Sequence, residues 1–116
     1  MEPVINEALQ KGVEMHVAGE FDFAGQLYSS VLKLRPNHAD ANHNMGLLKV
    51  DTGNELEALP YLQTALEADT SISQFWLSYI QVLIKLDRSD EAGRILKLAQ
   101  ENGAHGAQGD QFIELY

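Results

Sequence analysis

With 116 residues, 45% of them apolar and 22% charged, the chain is sized for one folded domain with a modest core, and its composition points neither to disorder nor to a fibre. The net charge of -9, from 17 acidic and 8 scattered basic residues, argues against phosphate backbones and anionic lipid, which need a basic face to displace counterions. Cysteine is absent, which removes disulfides, thiolate nucleophiles and zinc-thiolate sites.

The N-terminus MEPVINEALQKGVEMHVAGE has no basic segment followed by an apolar core, and no long apolar run follows. Neither a signal peptide nor a membrane span is expected, and a cytoplasmic location is the default. Ala8, Gly12 and Met15 recur at helical spacing up to a break at Ala18-Gly19, and Phe21, Ala24, Leu27, Tyr28 and Val31 form a second stripe that closes at Pro36. A third helix is predicted from about Ala39, carrying Met45 and Leu48 and ending at Thr52-Gly53-Asn54. In the fourth, Ala58, Leu62, Ala65 and Leu66 align. Asn54 with Glu57 suggests a capping box, and Pro60, beyond the first turn, predicts a bent or late-starting helix. Ile72, Phe75, Trp76, Tyr79, Ile80 and Leu83 mark a fifth helix, and Ala92, Ile95, Leu96 and Ala99 a sixth, separated by Asp87-Arg88-Ser89. In the tail GAHGAQGDQFIELY, Asp110 is a candidate N-cap for a short closing helix with Ile113 and Tyr116 on one face. Gly103-x-x-Gly106-x-x-Gly109 follows a helix and precedes no lysine, so it reads as a turn and not a phosphate loop.

A shift of 34 residues superposes the chain on itself: Gly12 falls on Gly46, Gly19 on Gly53, Ala24 on Ala58 and Ala92, Leu32 on Leu66, and Tyr28 on Leu62 and Leu96. This pattern resembles the tetratricopeptide repeat (TPR), whose signature is W-x2-L-G-x2-Y, then A-x3-F, then P. The first unit matches at Gly12, Ala24-x3-Tyr28 and Pro36. The second matches at Met45-Gly46 and Ala58-x3-Leu62, with Asn42 in the tryptophan slot and Thr70 in the proline slot. The third matches at Trp76 and Ala92-x3-Leu96, with Ile80 in place of the small residue. The resemblance implies an all-α, right-handed superhelix of three helix-turn-helix repeats, about 5–38, 39–72 and 73–106, with 107–116 as a partial capping helix, in a single domain spanning 1–116. The glycines let a helix approach its partner's alanine closely, so Ile80 predicts a wider terminal pair.

The polar stretch RPNHADANHNMG first suggests a metal cluster at His38, Asp40 and His43. These residues spread over a turn and a helix, and no further ligand is near in sequence, so a helix start is the better reading. His16 and His105 have no carboxylate or nucleophile at suggestive spacing, which leaves a catalytic triad unsupported. No cofactor, metal or enzymatic activity is expected.

In the family the first helix of each repeat lines the concave surface, which by resemblance holds Leu9, Gln10, Val13, Asp40, His43, Asn44, Leu47, Asp51, Leu77, Ser78 and Gln81. Mixed apolar and amide groups suit a polypeptide, whose backbone needs hydrogen-bond partners and whose side chains need apolar contacts. The family's best-known groove clamps the C-terminal carboxylate of chaperones with cationic and asparagine side chains. The matching positions here are Leu9, Val13, Asn44, Gln74 and Ser78, and only Asn44 agrees, so that ligand is not expected. Asp40 and Asp51 favour a neutral or basic polypeptide, although Asp40 also fits a role in stabilising its own helix start. The expected function is a non-catalytic protein-interaction scaffold. The alternatives are homo-oligomerisation or service as the recognition arm of a larger bacterial transferase whose catalytic domain lies outside the chain.

Overall fold

The structure is a computed structural model that describes residues 1–102; the expected closing helix around Asp110 lies outside them. Among the described residues six helices follow one another: α1 (Glu2–Val17), α2 (Phe21–Leu34), α3 (Ala39–Asp51), α4 (Glu55–Ala68), α5 (Ser73–Lys85) and α6 (Ser89–Glu101). The described residues contain no strand. Helices pack as sequential pairs, α1 with α2, α3 with α4 and α5 with α6, and α3 also touches α1 and α5.

The within-pair turns share one chemistry. After α1, Gly19 takes φ +82, its N–H bonds to His16 O (3.0 Å), and Glu20 N–H bonds to Met15 O (2.8 Å). After α3, Gly53 at φ +80 repeats this with Val50 O (3.0 Å), and Asn54 N–H with Lys49 O (2.7 Å). After α5, Asp87 at φ 62 does the same with Ile84 O (3.0 Å), and Arg88 N–H with Leu83 O (2.8 Å). Each is a Schellman ending, which satisfies the helix's last carbonyls and needs a left-handed residue. Glycine adopts that conformation freely, and aspartate is among the few other residues that tolerate it.

The between-pair joints also repeat. Asn42 Nδ2 donates to the carbonyl of Pro36 (3.0 Å) and to that of His38 (2.9 Å). One period later, Trp76 Nε1 donates to the carbonyl of Thr70 (2.8 Å). Asparagine and tryptophan share no shape, yet each delivers an N–H to the same place in its repeat. The tryptophan slot is therefore kept as a donor slot in the second unit, where the ring itself is lost.

Ala24, Ala58 and Ala92 are fully buried and let the paired helices approach. A Cβ added at Gly12 would lie 2.6 Å from Tyr28 Cε1, and one at Gly46 would lie 2.5 Å from Leu62 Cδ2, so both pairs use the space that glycine leaves. Ile80 fills that space in the third unit, and α5 and α6 pack less closely than the other two pairs do. The largest core cluster joins the second and third units through Leu62, Leu66, Trp76, Ile80 and Leu83.

Two local expectations are corrected. Asn54 caps α4 by position only: its side chain makes no cap bond and turns back to Thr52 Oγ1 (3.1 Å), so no capping box forms. Pro60 neither delays nor interrupts α4, which starts at Glu55 and runs to Ala68. The carbonyl that Pro60 cannot bond belongs to Leu56, an exposed residue in the first turn, where the missing N–H costs less than it would in a buried helix interior.

Candidate peptide-binding groove

α3 lies between α1 and α5 and supplies the middle of the face expected to bind ligand. Gln10, Val13, Asp40, Asp51 and Gln81 are exposed, and Leu9, Asn44 and Leu47 are half-buried. His43, Leu77 and Ser78 are buried, contrary to the expectation that they line an open surface. His43 Nε2 and Ser78 Oγ share a hydrogen bond of 2.8 Å, and the His43 ring lies 4.8 Å from that of Phe75. Gln74 Nε2 donates to Ser78 Oγ at 3.4 Å, which leaves the serine hydroxyl hydrogen for His43. Burial pushes the His43 pKa below its ordinary value, and nearby Asp40 only partly opposes this. His43 is therefore a seam residue between α3 and α5, with its polar edge already satisfied.

The suspected metal cluster does not assemble. His38 is the N-cap of α3, and its Nδ1 accepts the Ala41 N–H at 3.1 Å, while His43 points to Ser78. Histidine is an uncommon cap, which is why the sequence did not signal it. Among the described residues, no three such ligands come together.

The reading of His16 as a histidine without partners is also corrected. Its Nε2 lies 2.6 Å from Asp51 Oδ2 on α3, and its Nδ1 lies 3.1 Å from the hydroxyl of Tyr28 on α2. A carboxylate only accepts, so Nε2 carries the hydrogen and donates it to Asp51. Burial first, then the charge of Asp51, pushes the Tyr28 pKa up to about 12, so the phenol keeps its proton and offers it to Nδ1. The chain Tyr28, His16, Asp51 has the outline of a catalytic relay, but its hydroxyl end is fully buried. Its open end is the carboxylate.

Beside this chain lies a hollow of about 550 Å³, lined by Val13, Val17, Leu47 and Val50 with Asn44 and Asp51 at its edge. The Asn44 amide makes no hydrogen bond within the described residues. No described helix is long and apolar enough to cross a membrane.

No protein-family profile and no curated protein matches this sequence. Solved structures do. The TPR2B domain of yeast Sti1, in complex with pHsp70, aligns with TM-score 0.87 and 20% identity over 97% of this chain and 92% of that one. The translocator chaperone SycD of Yersinia enterocolitica type III secretion gives 0.85 and 14%, over 97% and 89%. The first TPR of Spaghetti (RPAP3), bound to the HSP90 peptide SRMEEVD, gives 0.81 and 13%, over 97% and 90%. The fold is thus the tetratricopeptide-repeat superhelix, formed by a sequence with little identity to these neighbours.

Proposed function

We propose that the protein is an interaction scaffold that binds a neutral or basic polypeptide segment across α1, α3 and α5. One observation carries this reading. Every lysine on those three helices is matched with a glutamate: Lys11 with Glu14 (3.9 Å), Lys49 with Glu57 (4.0 Å) and Lys85 with Glu55 (3.0 Å). The helices hold no arginine, and neither Asp40 nor Asp51 is paired with a lysine or arginine. The face therefore offers carboxylates and no spare cation. Two solved neighbours of the same fold are complexes, with pHsp70 and with the acidic HSP90 peptide SRMEEVD, which supports use of the fold for binding polypeptide; the opposite charge preference rests on this chain's own carboxylates.

The test is a titration of isotopically labelled protein with a pool of lysine- and arginine-containing octapeptides, a matched neutral pool and SRMEEVD, following amide shifts. Shifts at Val13, Asn44, Leu47 and Gln81 are expected with the basic and neutral pools, and none with SRMEEVD. Equal or stronger response to the acidic peptide, or shifts confined to α2, α4 and α6, would overturn the reading.

A further inference from the structure

Residues 34 apart occupy equivalent places on the three face helices, and one such row is Val17, Asp51 and Lys85. Its members differ sharply. Lys85 is neutralised by Glu55 at 3.0 Å, and Val17 is 84% exposed at the rim of the hollow it shares with Val13 and Leu47. Asp51 is the last residue of α3, where the helix dipole disfavours a negative charge. Its side chain remains 51% exposed. Helix stability therefore does not account for a carboxylate at this position.

The surroundings of Asp51 look built to present it. Its Oδ2 accepts from His16, whose side chain is only 13% exposed and is fixed from behind by Tyr28 and edge-on by Phe21 at 5.8 Å. That arrangement holds the carboxylate in place and leaves Oδ1 free. The adjacent hollow is walled by Val13, Val17, Leu47 and Val50, and no lysine or arginine enters it. Exposed aliphatic walls ending in a fixed carboxylate match a side chain with an aliphatic stem and a cationic head.

We propose that this hollow between α1 and α3 is an anchor for one lysine or arginine side chain of a bound polypeptide. The stem lies against Val13, Val17 and Leu47, the head pairs with Asp51 Oδ1, and the unpaired Asn44 amide takes the neighbouring peptide group. The anchor rests on the groove reading above and narrows it to one place and one residue type. Acidic side chains are excluded by Asp51, and purely apolar ones gain only the walls.

The decisive experiment is a double-mutant cycle on the full chain. The probes are a lysine-containing octapeptide selected from the basic pool and the same peptide with norleucine for lysine, which keeps the stem and removes the charge. Wild-type protein should bind the lysine peptide about three- to fivefold more tightly than the norleucine peptide, and Asp51→Asn should abolish that difference without weakening norleucine binding. Wild-type spectra and thermal midpoint for Asp51→Asn establish that the variant is folded, and Val17→Ser, which touches only the wall, should weaken both peptides equally. If both peptides bind on α1, α3 and α5 but Asp51→Asn leaves the lysine preference intact, the anchor is wrong and the groove reading stands. If neither peptide moves any amide on those helices, both fail.

Discussion

Along the face built by α1, α3 and α5, His16 and His43 each engage a side chain 35 residues further on, across the next helix, yet His16 meets a half-exposed carboxylate and His43 a buried hydroxyl. Both contacts tie one repeat to the next. Position around α3 decides the contrast: His43 and Asn44 lie about 100° apart, so one edge of the helix turns to α5 and the other to α1. At the α5 edge, Phe75 and Leu77 exclude water and the pair serves cohesion. At the α1 edge the hollow stays open and Asp51 retains an unused oxygen. The same structural reach can thus close one seam and equip the other.

The largest effect should follow from breaking the dry seam. Ser78 is 2% exposed and His43 7% exposed, so Ser78→Ala leaves a buried ring nitrogen without its partner. A loss of about 1–3 kcal/mol is expected in urea unfolding, partly recovered when His43→Leu is added, because the penalty lies in the orphaned nitrogen. Little recovery in the double variant would show that the hydroxyl matters by packing alone, and the contrast between the seams would lose its basis.

Acidification should act on the same seam with a smaller effect. Burial lowers the His43 pKa in the folded chain below the ordinary 6.5, so on acidification the unfolded chain takes up the proton first. Stability is therefore fully present above pH 6.5 and declines as pH falls through and below that value. Each unit of difference between the two states is worth about 1.4 kcal/mol. His43→Leu should flatten the decline between neutral and mildly acidic pH in parallel urea series. An unchanged slope in that variant would place the acid sensitivity elsewhere.

Why the helices could be read and the seams could not follows from the range of each signal. Gly19, Gly53, Asp87, and the buried Ala24, Ala58 and Ala92, act within one pair, where a fixed turn and a fixed close approach recur at each period. The positions of His43 and Ser78 on one helical face were equally legible, but a face says nothing of depth, and only the arrival of α5 buries them. The His16–Asp51 pair is invisible at catalytic spacings because its two residues stand a whole repeat apart. Consecutive face helices bring together residues about one repeat apart, and an offset of 35 carries both cross-repeat contacts. Asn42 was legible by the same logic: it stands one period before Trp76, and its acceptor Pro36 one period before Thr70. Chemical dissimilarity concealed the equivalence.

The smallest predicted effect sharpens the comparison most, because it sets two carboxylates of one helix against each other. Asp40 lies in the first turn of α3, where the exposed N–H groups favour negative charge, so Asp40→Asn should cost about 0.3–1 kcal/mol at low ionic strength and less in salt. Asp51 lies at the opposite end, where the dipole opposes it. Asp51→Asn keeps an acceptor for His16 and removes a charge from an unfavourable place, so its net cost should fall below that of Asp40→Asn and within about 0.5 kcal/mol of zero. Urea midpoints for the two variants, measured side by side at low and moderate salt, decide the order. If Asp51→Asn proves the costlier, the carboxylate is holding α1 to α3 as Ser78 holds α5, and the two seams are one device used twice. If it is nearly neutral, stability does not explain the charge at the end of α3, and the carboxylate stays available for the proposed cation.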